Sequence, residues 1–349
     1  MNTKIIKIDP VHIDQEEIEA AGKILINGGL VAFPTETVYG LGGDALNAEA
    51  SKKIYEAKGR PSDNPLIVHI SSVDRMTEIV KEVPPQAYLL AEKFWPGPMT
   101  LILHKNDRIP YETTGGMDTV AIRLPSDPIA RALIDASTGF IAAPSANTSG
   151  RPSPTRAEHV IEDLNGRIDE IIDGGAVGIG LESTIIDLTE EVPTILRPGY
   201  VTLEMLQEVL DEVRVDPGLI AADSKRKPKA PGMKYRHYAP KAELLLVEGD
   251  SIKVVDEINR LCELAVREGK SVGILATEET KGSYPKGEVL CIGSRKDEDS
   301  IGRHLFGILR EFDRMQVDVI YSESFSDARF GQAIMNRLLK AAGHHVLEV

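Results

Sequence analysis

The run Phe33-Pro34-Thr35-Glu36-Thr37-Val38-Tyr39-Gly40-Leu41-Gly42 concentrates hydroxyls, a carboxylate and glycines in ten residues. It reads as a strand end opening into a glycine-rich loop, where the backbone can approach a ligand and short hydroxyl side chains reach into a crevice. An ordinary strand-to-helix turn is the plainer alternative. No stretch of the chain has the spacing G-x-x-x-x-G-K-[ST], so any use of ATP proceeds without a P-loop. A second run, Lys58-Gly59-Arg60-Pro61-Ser62-Asp63-Asn64-Pro65-Leu66-Ile67-Val68-His69, sets two cations either side of a glycine. Closely spaced Lys and Arg donors suit a triphosphate, although the same loop could simply be solvated. His69 closes an apolar segment, a place for a hydrogen-bonded structural histidine as much as for a catalytic one.

Three further stretches are of the same kind. Thr119-Val120-Ala121-Ile122-Arg123-Leu124-Pro125 puts a guanidinium inside an apolar strand, where it must meet an acidic partner or an anionic ligand. Ala142-Ala143-Pro144-Ser145-Ala146-Asn147-Thr148-Ser149-Gly150-Arg151-Pro152-Ser153 runs from a strand end into hydroxyls and an amide. Gly174-Gly175, Gly178, Gly180, Glu182-Ser183-Thr184 and Leu196-Arg197-Pro198-Gly199 complete the set. Strand-end hydroxyls, an amide and separated cations, without metal-type His/Cys spacing, would recognise a polar anionic substrate beside a nucleotide, with cations taking up developing phosphate charge.

These loops need a scaffold. Asp14 followed by Glu17 resembles a capping box, and Ile18, Ala21 and Leu25 keep helical spacing up to Gly28-Gly29. Strands are expected at 30–33, 66–70, 99–103, 120–124, 140–143, 168–172, 184–188 and 194–196. Helices are expected at 47–57, 85–94, 127–137, 155–164 and 202–212. Strands that do not strictly alternate with helices predict an α/β domain with a large mixed, twisted sheet. Farther on, strands expected at 244–247, 271–275, 289–292 and 317–321 alternate with helices at 251–268, 298–315 and 329–342. That βαβ rhythm predicts a smaller Rossmann-like parallel α/β domain.

The composition fits two soluble domains. The chain has 349 residues, is 42% hydrophobic and 27% charged, and has a formal charge of −14. Residues 1–205 carry 18 basic and 30 acidic groups, residues 206–242 carry 8 and 5, and residues 243–349 carry 14 and 19. The expected division is therefore a catalytic domain at 1–205, a basic connector at 206–242 and a C-terminal domain at 243–349. The acidic balance argues against holding nucleic acid by bulk electrostatics. Two cysteines, Cys262 and Cys291, are too few for a disulfide framework or zinc fingers and suit a reducing compartment. With neither a signal-peptide pattern nor an apolar run of membrane-spanning length, the expected address is the cytoplasm.

The motifs Pro34-Thr35-Glu36-Thr37-Val38-Tyr39-Gly40-Leu41, Lys58 with Arg60 and Asn64-Pro65-Leu66, Trp95-Pro96-Gly97-Pro98-Met99-Thr100, Ala143-Pro144-Ser145-Ala146-Asn147 and Ser183-Thr184-Ile185 resemble, in order and spacing, those of the YrdC-like family. Pro231-Gly232-Met233-Lys234-Tyr235-Arg236-His237-Tyr238-Ala239-Pro240 and the α/β segment after it resemble the longer two-domain subfamily. The resemblance implies synthesis of L-threonylcarbamoyladenylate and pyrophosphate from L-threonine, bicarbonate and ATP, with Mg2+ accompanying ATP, for modification of tRNA beside the anticodon. Carried over motif by motif, Thr35, Thr37, His69, Arg123, Ala143 and Ser183 would hold L-threonine. Lys58, Arg60, Asn64, Thr119, Ser145, Ser153, Arg197 and Tyr235 would hold ATP, the last from a connector that closes as a lid. No catalytic side chain and no metal ligand are assigned. Downstream tRNA threonylcarbamoyl-transferase proteins are the expected partners, with neither a membrane nor tightly held nucleic acid. The rival readings are a double-stranded RNA-binding or ribosome-associated module, a hydrogenase-maturation carbamoyltransferase, which should bring Cys-rich zinc fingers, and an unrelated amino-acid adenylating enzyme.

Overall fold

Helix α1 (Gln15–Ile26) starts where the sequence predicts it, because the Asp14 carboxylate accepts from the backbone N–H groups of Glu16 and Glu17. Its buried stripe, Ile18, Ala21 and Leu25, packs on a sheet that fills the first of two units in this computed structural model, which describes residues 2–219, 237–325 and 331–349. The first unit comprises Met1–Ser149, Ser153–Gly178 and Glu182–Lys234; the second comprises Gly150–Pro152, Ile179–Leu181 and Tyr235–Val349.

In the first unit the strands are β1 (Lys4–Lys7), β2 (Val31–Phe33), β3 (Gly40–Asp44), β4 (Ile67–His69), β5 (Met99–His104), β6 (Thr119–Arg123), β7 (Ile141–Ala143), β8 (Glu170–Asp173), β9 (Thr184–Asp187), β10 (Thr194–Arg197) and β11 (Arg214–Val215). Their order is β1-β8-β2-β3-β7-β4-β6-β5-β9-β10-β11, with parallel and antiparallel pairs. Helices α2 (Ala48–Lys58), α3 (Pro85–Phe94), α4 (Pro128–Asp135), α5 (Ala157–Leu164) and α6 (Leu203–Gln207) join α1. A large apolar cluster includes Val68, Leu101, Ile122 and Ile186 of the sheet with Ile54, Leu90 and Leu164 of α2, α3 and α5. A second cluster joins Phe33, Ile141 and Ile172 to α1 and α4.

Two sequence readings change here. The glycines after Tyr39 form strand β3, paired antiparallel with β2, and are not an open loop. A Cβ on Gly42 would stand 2.8 Å from both the Phe33 ring and Ile141 Cγ2, so the missing side chain serves packing. The helix expected at 202–212 ends at Gln207, after which Leu210 and Val213 enter the core and β11 pairs with β10. Residues 206–219 thus form part of the first unit's fold.

The second unit holds β12 (Glu243–Glu248), α7 (Ser251–Arg267), β13 (Val272–Ala276), β14 (Glu288–Cys291), α8 (Glu298–Met315), β15 (Val319–Glu323), α9 (Gly331–Ala341) and β16 (Val346–Glu348). All its strand pairs are parallel, in the order β14-β13-β15-β12-β16. The smaller parallel α/β domain is as the sequence predicts, with β16 added at the edge.

Candidate active site

The register of the mixed sheet assembles the first group of polar side chains. His69 of β4 lies opposite Arg123 of β6, and Arg123 lies opposite Thr100 of β5. Residues directly opposite share a face, so a histidine, a guanidinium and a hydroxyl form one row. Along that face the next residues are apolar: Ile67, Ala121, Ile102, Ile185 and Leu196 form a buried cluster of their own. A polar row bordered by apolar side chains is the lining expected of a small-molecule site.

His69 Nδ1 lies 3.1 Å from the Ile67 carbonyl oxygen and must donate to it. Burial, then the nearby Arg123 charge, holds the ring's pKa down to about 3, so His69 is neutral at pH 7. Arg123 is 4% exposed, and its Nη2 stands 2.7 Å from Glu36 Oε1. The contact is an ion pair whose N–H is not aligned on the oxygen: among the described residues, Nε and Nη2 of Arg123 and Oε1 of Glu36 all lack a hydrogen-bond partner. Of the two options open from sequence, the acidic partner is present and donors remain for an anion. Glu36 Oε2 accepts from the Ser126 N–H at 3.2 Å. Next to Ser126, Asp127 caps α4, and burial, with the Glu36 charge adding to it, pushes its pKa up to about 6.

Thr35 and Thr37 occupy the loop between β2 and β3. Thr35 Oγ1 donates to the Val38 carbonyl at 2.7 Å and lies 2.9 Å from Thr37 Oγ1, which fixes both hydroxyls in a tight turn. Ala143 closes β7 opposite Ile67. Ser183 lies just before β9, with Oγ 2.7 Å from Thr100 Oγ1 and receiving Arg197 Nη2 at 3.0 Å; Arg197 Nε donates to the Ser183 carbonyl at the same distance. Gly199 permits this approach, since a Cβ there would sit 2.4 Å from the Thr184 nitrogen.

The second group is built on loops tied to one another. Leu41 N–H donates to Pro144 O, Tyr39 N–H to Pro154 O and Ala146 N–H to Tyr39 O, which joins the Thr35–Tyr39 turn to the segment after β7. Lys58, at the end of α2, is 2% exposed and donates to the carbonyls of Ser145 and Asn147. Ser145 Oγ donates to Asn147 Oδ1 at 2.6 Å. Arg60 bridges its own loop, with Nε on Asn64 O and Nη2 on Pro65 O, both at 3.3 Å. Asn64 is 1% exposed, and its Oδ1 has no partner among the described residues. Thr119 begins β6 on the face that carries Arg123. Ser153 donates to Glu182 Oε1 at 2.5 Å, beside Ser183.

The His69–Arg123 row and the Ser183–Arg197 contact therefore bring threonine-set and ATP-set residues together, while Lys58, Ser145 and Asn147 form a separate tie. Tyr235 lies outside the described residues. Sequence reasoning does not single out Thr100, Glu36 as the partner of Arg123, or Glu182 as the partner of Ser153. Thr100 and Glu36 stand within the family-like motifs, but their partners are distant in the chain.

Residues 23–199 match the Sua5, YciO and YrdC family profile, described as telomere recombination, and residues 201–343 match the profile described as threonylcarbamoyl-AMP synthase, C-terminal domain. The chain is 50% identical over 337 residues to the threonylcarbamoyl-AMP synthase of Pyrococcus abyssi, covering 97% of each protein. It is 48% identical over 340 residues to that of Bacillus subtilis, covering 97% of this chain and 96% of the relative. The crystal structure of the Pyrococcus abyssi Sua5 protein complexed with L-threonine superposes with a TM-score of 0.94 at 48% identity, over 99% of this chain and 100% of the other. With both profiles matched in order and relatives aligned over nearly its whole length, the chain belongs to the two-domain threonylcarbamoyl-AMP synthase family and is an enzyme of the nucleotidyltransferase type.

Proposed function

We propose that the protein forms L-threonylcarbamoyladenylate, pyrophosphate and water from L-threonine, bicarbonate and ATP, supplying the group that downstream proteins place on tRNA beside the anticodon. The observation that carries this reading is the buried Arg123 edge, Nε and Nη2, which has no aligned acceptor among the described residues and lies in one row with neutral His69 and Thr100. With Glu36 against Nη2, the unmatched Nε–H of the buried guanidinium offers a charge-assisted hydrogen bond to a carboxylate. The substrate carboxylate sits on Arg123, and its hydroxyl faces the polar ring of His69 and the Thr35–Thr37 turn.

The threonine nitrogen bonds to the carbon of bicarbonate-derived carbon dioxide and loses a proton, and water is released in the balance. A carbamate oxygen then bonds to the α-phosphorus of ATP as the bond from that phosphorus to the β-phosphate bridge oxygen breaks, and pyrophosphate leaves. Such a transfer needs positioning and charge neutralisation more than a covalent nucleophile. Lys58, Arg60, Asn64, Thr119, Ser145, Ser153, Arg197 and Tyr235 are the residues assigned to ATP. Among the described residues no three His, Cys, Asp or Glu side chains gather as a metal cage. Magnesium would accompany ATP as part of that substrate and would offset charge on its phosphates. The acidic balance of the chain fits release of a small product rather than retention of tRNA.

The test is pyrophosphate release by the purified protein with ATP and magnesium, with and without L-threonine and with and without bicarbonate. Release is expected only when both are present. Release indifferent to both, or salt-dependent RNA binding without threonine-dependent release, overturns the reading.

A further inference from the structure

Thr100 and Ser183 share a buried hydroxyl–hydroxyl contact in which either oxygen can donate. Both residues are fully buried, and their hydroxyl oxygens are 2.7 Å apart, so one proton lies between them. Arg197 can only donate, and it uses Nη2 on Ser183 Oγ at 3.0 Å. One lone pair of Ser183 Oγ is thereby occupied. Two hydroxyls carry two protons, and the contact between them consumes one. The other O–H has no acceptor, because among the described residues neither hydroxyl makes a second side-chain contact in which it could donate. Immediately beside it, across the β5–β6 pairing, Arg123 presents Nε and Nη2 without aligned acceptors. Buried donors are rarely left unmatched, and a convergent set of them marks the place of an acceptor that comes from outside.

We propose that Thr100 is a positioning residue of the amino-acid subsite. Its hydroxyl donates to Ser183 Oγ, so that Ser183, filled by Thr100 on one lone pair and Arg197 on the other, turns its own proton toward the substrate carboxylate on Arg123. The inference rests on the proposed reaction and deepens it by naming a residue that sets the geometry of the amino-acid subsite.

Thr100→Val keeps the shape and removes the donor, whereas Thr100→Ser keeps the donor and removes the methyl group. In the pyrophosphate assay Thr100→Val should raise the KM for L-threonine about tenfold, with kcat and the KM for ATP changed less than about twofold. Thr100→Ser should stay within about threefold of the unchanged protein. Calorimetric titration of L-threonine without ATP reads the same loss independently of turnover, with Arg123→Lys as the reference for a lost carboxylate partner. Unchanged threonine affinity in Thr100→Val beside weakened affinity in Arg123→Lys overturns the proposal. So does equal weakening in Thr100→Val and Thr100→Ser with a lowered melting temperature, which marks a packing role. Failure of the broader reading looks different: the unchanged protein would then show no turnover dependent on threonine.

Discussion

At the residue scale the site is a set of buried polar groups whose protonation the sheet dictates. His69 stays neutral because burial and Arg123 both disfavour imidazolium, which holds its pKa down to about 3. In the unfolded chain a histidine titrates near 6.5, so between about pH 6.5 and 3 the unfolded state binds the extra proton and the folded state does not. The His69 contribution to stability is therefore full above about pH 6.5 and declines as the pH falls. Asp127 acts in the opposite sense, since a carboxyl raised to about 6 holds its proton more tightly when folded. Comparison with His69→Gln separates the two, because Asp127 is common to both proteins. The melting temperature of the unchanged protein should fall relative to His69→Gln by up to about 3 °C per pH unit below pH 6.5, from about 1.4 kcal/mol per unit. A constant gap from pH 7 to 4.5 would show that His69 is not held neutral. The types of His69, Arg123 and Ser183 were legible as candidates. Glu36 with Arg123 and Thr100 with Ser183 were not, because the partners stand 87 and 83 residues apart and only the folded sheet, with the β2–β3 loop and the residue before β9 brought onto it, sets them side by side.

At the element scale the instructive error is β3. A string of glycines reads locally as a loop, yet Gly40–Asp44 is a strand between β2 and β7 whose small residues admit neighbouring side chains. Gly42→Ala should destabilise the first unit by about 1–3 kcal/mol through overpacking against Phe33 and Ile141. A thermal melt should show a fall of about 3–10 °C. Loss of activity with an unchanged melt would instead return the glycine to ligand approach. Longer elements were legible because their signals are local: α2 begins at the Asn47 cap, and α8 carries its apolar stripe over Glu298–Met315. The short strands β1, β11 and β16 have too few residues to declare a period, and their pairing partners decide them.

At the scale of the whole molecule, the net charge of −14 and the basic stretch within 206–242 suggest a connector between two acidic domains. The fold shows that the first unit's packing continues past residue 205. Leu206 is fully buried, Leu210 and Val213 are nearly so, and all three share one apolar cluster with Trp95, the sole tryptophan of the chain. β11 then extends the sheet. A spacer would tolerate alanine at position 206 with a change of under about 0.5 kcal/mol, whereas truncating a core leucine costs about 2–5 kcal/mol. Because Trp95 reports on the first unit, its fluorescence during a melt distinguishes the two. Leu206→Ala should lower that transition by roughly 5–15 °C, and Gln207→Ala, one residue along on the exposed side, should leave it within about 2 °C. Equal and small shifts for both substitutions would move the end of the catalytic domain back to residue 205. A large shift for Leu206→Ala alone makes Leu206 and the segment packed with it, including Leu210 and Val213, part of the scaffold that holds Arg197 and Ser183 and not part of a lid.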